Sequence, residues 1–212
     1  MPTDDFDSLA ARADLCRLLA ACFYEPGPEF AEEKLFESLA DSASRVDEAL
    51  AARARRLGAA FTAEDPQELL VDYTRLFLGP IGALAQPYGS VWLEGRQALM
   101  TDSTAAVLEL YAEGGFEMDE AFHDLPDHIA AELEFMYLLL FRQAEARRNG
   151  EAQALLRYAG LRQRLLDEHL GRWVGPFTAA LGSGAQTAFY GELAGVTDEF
   201  VRLEGAAAHR SD

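Results

Sequence analysis

The chain has 212 residues, of which half are hydrophobic and a quarter are charged, so it can bury an ordinary core as one domain. Its net charge of −18 argues against a nucleic-acid partner, because phosphate binding needs a basic surface. The same charge is compatible with a cationic partner. No apolar run approaches the ~20 residues that span a bilayer, and the acidic N-terminus lacks a signal-peptide pattern. We therefore expect a cytoplasmic protein without stable membrane insertion.

Apolar residues recur every three or four positions through the first third of the chain, which predicts amphipathic helices. The predicted spans are 6–24, 28–41 and 43–61. A fourth helix begins at Pro66, with Asp65 as its cap, and ends at Gly79-Pro80. Cys16 and Cys22 lie on different faces of the first helix, so neither a mutual disulfide nor a shared metal site is expected.

The segment from Tyr73 to Trp92, YTRLFLGPIGALAQPYGSVW, cannot be one continuous helix, because proline and glycine interrupt it. It is nevertheless too apolar for an ordinary surface loop. The residues alone leave two interpretations open: a buried crossover that fills the core, or a surface presented to a partner. Residues 90–93 are the nearest candidate for a β-strand, and that run is too short to predict one.

Helical periodicity returns after this segment. The predicted helices span about 102–112, from 125–128 to 148, 151–170, a short segment 172–180, and 186–204. Residues 135–141 are apolar on every side, which is typical of a central helix packed all round. Gly175-Pro176 is expected to interrupt the short segment, residues 182–184 to form a flexible break, and the last eight residues to be disordered.

The predicted fold class is therefore all-α, a single domain of about eight to ten helices. Two lobes hinged around 79–92 and 113–125 are a possible subdivision of the predicted domain. The sequence contains no phosphate-binding loop, dinucleotide fingerprint, nucleophile elbow or CxxC pattern. We accordingly predict no catalytic residue, no bound metal and no cofactor.

His128 stands at a predicted helix start beside Asp127, and Glu132 follows one turn later on the same face. The group could ligate a metal together with His123, act as an acid/base couple, or simply begin the helix, with Asp127 complementing the helix dipole. Residue types favour the last interpretation, because no HExxH-like spacing, nucleophile or oxyanion loop accompanies the group. A helical metal- or acid/base-dependent enzyme built on His128 and Glu132 is the alternative function.

Two segments together resemble the TorD/DmsD/NarJ family of cytoplasmic chaperones for molybdenum-containing redox enzymes. The first reads YTRLFLGP at 73–80 and PYGSVWL at 87–93, and the second reads LPDH at 125–128 followed by ELEFM at 132–136. A weaker match is FYGELA at 189–194. The paired motifs are closer to the TorD/DmsD branch than to NarJ.

The resemblance implies a TorD-like fold and a non-enzymatic chaperone. Such a chaperone binds the twin-arginine signal peptide of an apo-molybdoenzyme, holds back its export and assists cofactor insertion. The chain would be a monomer or a domain-swapped dimer. By position, the resemblance implies peptide-binding residues at Tyr73, Leu76, Phe77, Pro87, Tyr88, Trp92, Asp127 and His128.

The aromatic residues and Leu76 are expected to supply an apolar groove, and Asp127, Glu132 and Glu134 to receive the guanidinium groups. Asp127 and His128 are expected to be exposed beside Tyr88. The sequence departs from the family at Gln86, where a second proline often stands. It also has tyrosine at positions 73 and 88, where some members have tryptophan, which predicts altered affinity or choice of peptide.

Overall fold

A computed structural model of the chain describes residues 6–78, 82–95, 100–118 and 124–209. Its α-helices are Phe6–Ala21 (α1), Glu29–Glu32 (α2), Leu35–Ser44 (α3), Glu48–Ala63 (α4), Pro66–Tyr73 (α5), Gly89–Leu93 (α6), Asp102–Gly114 (α7), Ile129–Asn149 (α8), Ala152–Arg164 (α9), Leu170–Gly184 (α10) and Ala188–Ala208 (α11). One π-helical turn, Thr74–Leu78, continues α5, and another, Leu165–His169, joins α9 to α10. Because α9, the second π-helical turn and α10 form one continuous stretch, the described ranges hold ten separate helical stretches. They contain no strand, which confirms the all-α prediction.

Several helix boundaries differ from those predicted, and local capping explains two of them. The predicted helix 28–41 is divided into α2 and α3, because Lys34 adopts a left-handed conformation between them, with φ of 53°. The next helix begins at Glu48, not at residue 43, because the Asp47 carboxylate accepts hydrogen bonds from the amides of Ala49 and Leu50. Asp65 caps α5 as predicted, accepting from the amide of Gln67.

The predicted interruption of the short segment at Gly175-Pro176 and the break at 182–184 are wrong, because α10 runs unbroken from Leu170 to Gly184. Pro176 removes one backbone donor, but Trp173 and Phe177 on either side of it are fully buried. Packing of these rings outweighs the local helix-breaking preference. Likewise, residues 90–93 belong to the short helix α6, and α11 extends four residues beyond its predicted end.

α8 is the central helix of the fold, with α1 packed along one side and α9 along another. A second layer is formed by α3, α4, α10 and α11. The prediction that α8 is enclosed on every side is wrong, since Phe141 is 41% exposed and Tyr137 and Leu138 are only partly buried. Among the described residues, no helix is long and apolar enough to cross a membrane.

Two buried polar clusters tie distant parts of the chain together. Arg12 of α1 donates two hydrogen bonds to the carboxylate of Glu204 in α11, and Arg162 of α9 lies 3.6 Å from the same carboxylate. Elsewhere, Asp72 Oδ2 accepts hydrogen bonds from the backbone amides of Gln186 and Thr187 and from the Thr187 hydroxyl. Asp72 therefore satisfies amides at the start of α11 that the helix itself cannot pair.

Some predicted features lie outside the described residues. These are the helix end at Gly79-Pro80 and the loop histidine, His123. The hinges proposed around 79–92 and 113–125 stay a prediction.

Candidate functional site

The two motif segments that are far apart in sequence are joined by backbone hydrogen bonds. The amide of Gly89 donates to the carbonyl of Asp127 (2.8 Å), and the amide of Ile129 donates to the carbonyl of Pro87 (2.8 Å). Tyr88 and His128 form an isolated antiparallel bridge between them. The irregular segment is thus pinned to the start of α8, which brings its residues into one site.

Asp127 is fully buried and caps α6. Its Oδ2 atom accepts a hydrogen bond from the amide of Ser90 (2.8 Å), the second residue of that short helix. The expectation that Asp127 is exposed is therefore wrong, because its carboxylate faces the unpaired backbone of the neighbouring segment. Its role in peptide binding stays a prediction.

His128 is the N-cap of α8. The predicted place of Asp127 in the first turn of that helix is wrong, because Asp127 precedes the N-cap and its carboxylate accepts from Ser90 instead. Its Nδ1 atom accepts a hydrogen bond from the amide of Ala130 (3.1 Å), so that nitrogen carries no proton. Burial lowers the pKa of His128, although the charges of Asp124 and Asp127 oppose this effect. Only 4% of the residue is exposed, so the expectation of an exposed imidazole is also wrong.

Glu132, the first residue of the 132–136 motif, is fully buried and has two hydrogen-bonding side-chain neighbours. Its Oε1 atom accepts from the Trp173 indole (3.1 Å), and its Oε2 atom lies 2.8 Å from His169 Nδ1. The other ring nitrogen of His169 lies 3.1 Å from the carbonyl oxygen of Ser103, so it must carry a proton. Glu132 thus engages buried partners, and its predicted contact with a peptide stays a prediction.

The ionisation of this pair follows from its surroundings. Burial alone would lower the pKa of His169, but the charge of Glu132 and the hydrogen bonds to Glu132 and Ser103 raise it. Burial raises the pKa of Glu132, and the His169 and Trp173 contacts partly offset that rise. A doubly protonated His169 that donates to Glu132 and to the Ser103 carbonyl satisfies both ring nitrogens, and so does a neutral His169 beside a protonated Glu132.

Gly89 packs directly on this buried pair. A β-carbon at position 89 would lie 2.8 Å from His169 Cε1 and 3.0 Å from Trp173 Nε1. Glycine is therefore required at position 89 because the side chains of His169 and Trp173 leave no room for a β-carbon, and not because of its backbone angles.

The predicted apolar groove residues are mostly part of the core. Leu76 and Phe77 are buried, and Phe77 packs against the ring of Tyr73 with a centroid separation of 5.3 Å. Pro87 is buried as well. Trp92 is partly buried and donates its indole N–H to the carbonyl of Gln86 (2.8 Å). Part of the Tyr73–Trp92 segment thus fills the core, as the first interpretation predicted, while Tyr73 and Tyr88 are partly exposed. Presentation of the segment to a partner stays a prediction.

Above this core lies a cluster that we call the tyrosine surface, defined by Tyr24, Tyr73, Tyr88, His128, Asp124 and Glu134. The ring of Tyr24 is stacked on that of His128 (6.5 Å between centroids), and the ring of Tyr88 approaches it edge-on (5.5 Å).

Carboxylates rim the tyrosine surface. The Tyr88 hydroxyl donates to Asp124 Oδ1 (2.7 Å), and the Tyr24 hydroxyl donates to Glu134 Oε1 (3.0 Å). Burial, reinforced by these carboxylates and by the nearby Tyr73, raises the pKa of Tyr24 and of Tyr88. The phenols therefore stay neutral donors, and the carboxylates are the groups that a cation would meet.

Sequence reasoning missed Tyr24, Asp124, His169 and Trp173. None of them belongs to a recognisable motif, and His169 lies thirty-seven positions from its partner Glu132. A polar residue in an otherwise apolar helical pattern was the only signal that could have drawn attention to His169.

Within the described ranges, no group of three or more His, Cys, Asp or Glu side chains is arranged to hold a metal ion. An open depression of about 570 Å³ lies between α7 and α9, away from all predicted site residues. It is lined by Glu113, Arg157, Gly160, Leu161, Gln163, Arg164 and Asp167. Both of its arginines already donate to Glu113, Arg157 to the backbone carbonyl and Arg164 to the carboxylate.

Comparisons with known proteins place this geometry in context. The family described as nitrate reductase delta subunit matches residues 43–179. The Tat proofreading chaperone DmsD of Salmonella typhi is 30% identical over 186 residues, which cover 86% of each chain. The chaperone protein TorD of Photobacterium profundum is 31% identical over 147 residues, 68% of this chain and 66% of that protein.

A crystal structure of a protein from Archaeoglobus fulgidus, described as a redox enzyme maturation protein, has a similar fold. Its TM-score is 0.56 at 19% identity, over 90% of this chain and 93% of the other. At this identity the likeness concerns the fold alone.

Proposed function

We propose that this chain, which belongs to the nitrate reductase delta subunit family, is a chaperone of redox-enzyme maturation. We propose further that it binds a twin-arginine signal peptide. Its client would be the apo-form of a molybdopterin-containing enzyme. The chaperone would act in the cytoplasm before export, holding the signal peptide while the cofactor is inserted. It would perform no catalysis of its own.

The observation that carries the peptide-binding part of this proposal is the tyrosine surface. It brings Tyr24, which follows α1, together with Tyr88 of the 87–93 motif and the buried ring of His128 from the 125–128 motif. Asp124 is exposed there, and Glu134 is only partly buried.

The chemistry of this surface fits a pair of arginines. Guanidinium groups form strong paired hydrogen bonds with carboxylates and also stack on aromatic faces, and both kinds of group lie together here. The net charge of −18 would speed the encounter with a cationic peptide.

The site that we propose differs in one respect from the one that the sequence suggested. Asp127 and Glu132 are buried below the surface, whereas Glu134, as the sequence suggested, and Asp124, which it did not suggest, are the carboxylates within reach of a ligand. The peptide contacts expected of Leu76, Phe77 and Trp92 would need these buried or half-buried side chains to move.

The alternative of a helical enzyme built on His128 and Glu132 has little support from this geometry. His128 uses Nδ1 to cap α8, and Glu132 is engaged with His169 and Trp173. The two side chains do not share a ligand-accessible place.

Titration calorimetry with twin-arginine signal peptides from molybdoenzymes encoded near this gene tests the proposal. We expect micromolar or tighter binding to one peptide, lost when both arginines are replaced by alanine. Affinity should also fall as salt is raised, because exposed charges are screened beyond ~8–10 Å. Failure of every such peptide to bind would refute the signal-peptide proposal and leave the mature enzyme as the remaining partner to test.

A further inference from the structure

One face of α8 leaves apolar side chains in contact with solvent. Tyr137 and Leu138 are partly buried, and Phe141 is 41% exposed. The rings of Tyr137 and Phe141 are 5.9 Å apart. These three residues, which we call the α8 stripe, follow Glu134 by three, four and seven positions, so all four lie on one side of the helix.

The α8 stripe is continuous with the tyrosine surface at its N-terminal end. Glu134 connects the two, because it accepts the hydrogen bond from Tyr24 in the tyrosine surface and lies one turn before Tyr137 of the stripe. The exposed carboxylates of Glu25 and Asp124 make this end of α8 acidic. A cation bound at the tyrosine surface would therefore have an apolar surface immediately beside it.

The other end of the stripe is not acidic overall. Beyond Phe141, Arg142 pairs with Glu145 (3.1 Å), and Arg148 lies over the ring of Phe6. The exposed face of the helix thus changes from acidic at Glu134 to apolar at the stripe. A ligand with a cationic end followed by an apolar segment is complementary to it in one direction only.

Building on the proposed function, we propose that the apolar segment that follows the two arginines of the signal peptide binds the α8 stripe. The arginines lie against Asp124 and Glu134, and the apolar segment continues as a helix along Tyr137, Leu138 and Phe141. The peptide helix would thus lay its apolar face on the exposed apolar face of α8. At ~1.5 Å per residue, the stretch from Glu134 to Phe141 is about 10 Å long. It therefore contacts roughly the first two turns of the apolar segment.

A Phe141→Ser variant tests this docking mode. Titration with the binding peptide should show affinity about tenfold weaker, since a half-exposed phenylalanine ring no longer covers the peptide. The matched control is Val71→Ser, which removes an apolar side chain that is 53% exposed on α5, away from the stripe. Its affinity should stay within about twofold of wild type. Thermal unfolding of both variants verifies that each is folded.

Two further measurements make the outcome decisive. Replacing the first apolar residues of the peptide by serine should lower its affinity for wild type strongly. The same replacement should lower its affinity for Phe141→Ser only slightly, because the two changes remove the same contact. In addition, Leu84→Ser tests a rival path, since Leu78 and Leu84 within the Tyr73–Trp92 segment are also exposed, 56% and 48%.

The failures of the two proposals are distinguishable. If wild type does not bind any twin-arginine peptide, the proposed function fails and the docking mode with it. If wild type binds and needs the arginines, but Phe141→Ser binds equally well, the docking mode alone is wrong. A loss confined to Leu84→Ser would likewise overturn it, because the apolar segment would then cross the Leu78–Leu84 region.

Discussion

Tyr88 and His128 pair across an isolated antiparallel bridge that fastens the irregular segment to the start of the central helix. The ring of Tyr88 also contacts the buried ring of His128 edge-on within the tyrosine surface. A backbone contact thus fixes the positions of two side chains from different motifs. This arrangement puts a rigid support under the part of the molecule to which we assign peptide binding.

Asp124→Asn combined with Glu134→Gln should weaken binding of a twin-arginine peptide by about tenfold or more, because both charge-assisted hydrogen-bond acceptors are lost. Stability should change by less than about 1 kcal/mol, as for most surface changes. The control is Glu37→Gln combined with Glu68→Gln, two exposed positions that alter the net charge equally. Equal weakening in both double variants would mean that overall charge, not this surface, attracts the peptide.

Asp127→Ala should destabilise the protein by about 1–3 kcal/mol, because the buried amide of Ser90 loses its acceptor. Asp127→Asn retains an oxygen in the same place and should cost less. Urea unfolding measures both. An Asp127→Ala variant as stable as wild type would show that water or another group readily replaces the cap.

Gly89→Ala should cost about 1–3 kcal/mol, since the new methyl group would collide with His169 and Trp173. Gly191→Ala is the matched control, because it lies within α11 and its β-carbon would meet nothing within 4 Å. That substitution should stabilise by about 0.5–1 kcal/mol through helix propensity. Chemical denaturation measures both changes in stability. A loss for Gly89→Ala and a gain for Gly191→Ala would show that steric contact, and not the flexibility of glycine in general, decides the result at position 89.

His169→Gln should flatten the pH dependence of stability above neutral pH. The folded-state pKa of His169 is raised above its unfolded value. The contribution of His169 to the free energy of unfolding is therefore complete below about pH 6.5, and it is lost as pH rises through the folded-state pKa. The unfolding free energy of wild type should therefore fall more steeply in that window than that of the variant. His209→Gln, at a largely exposed imidazole, serves as control and should keep the wild-type slope.

Asp72→Ala should destabilise by about 2–4 kcal/mol, because three donors at the start of α11 lose one buried acceptor. Burial would raise the pKa of Asp72, but its hydrogen bonds outweigh burial and lower it. The contribution of Asp72 to the free energy of unfolding is therefore present above about pH 3.9, and it is lost as pH falls through the lowered folded-state pKa. Asp65→Ala, which removes an exposed cap that accepts one hydrogen bond from the amide of Gln67, should cost only about 0.5–1 kcal/mol.

Local rules were sufficient for most of the fold. The helical periodicity, the cap at Asp65 and the stop at Gly150 act within a few residues, so the sequence states them directly. They failed where packing overrides local preference. Pro176 lies inside a helix because its neighbours Trp173 and Phe177 are buried, a fact that no window of sequence contains.

The sequence by itself determined the all-α class, the family and the two segments that meet at the candidate site. Tertiary structure alone decided which polar residues face a ligand. Asp124 and Asp127 are three positions apart and chemically identical, yet one is exposed and the other is buried as a cap. The reason is that exposure depends on which distant backbone packs on a side chain, here the amide of Ser90, and neither composition nor spacing records that contact.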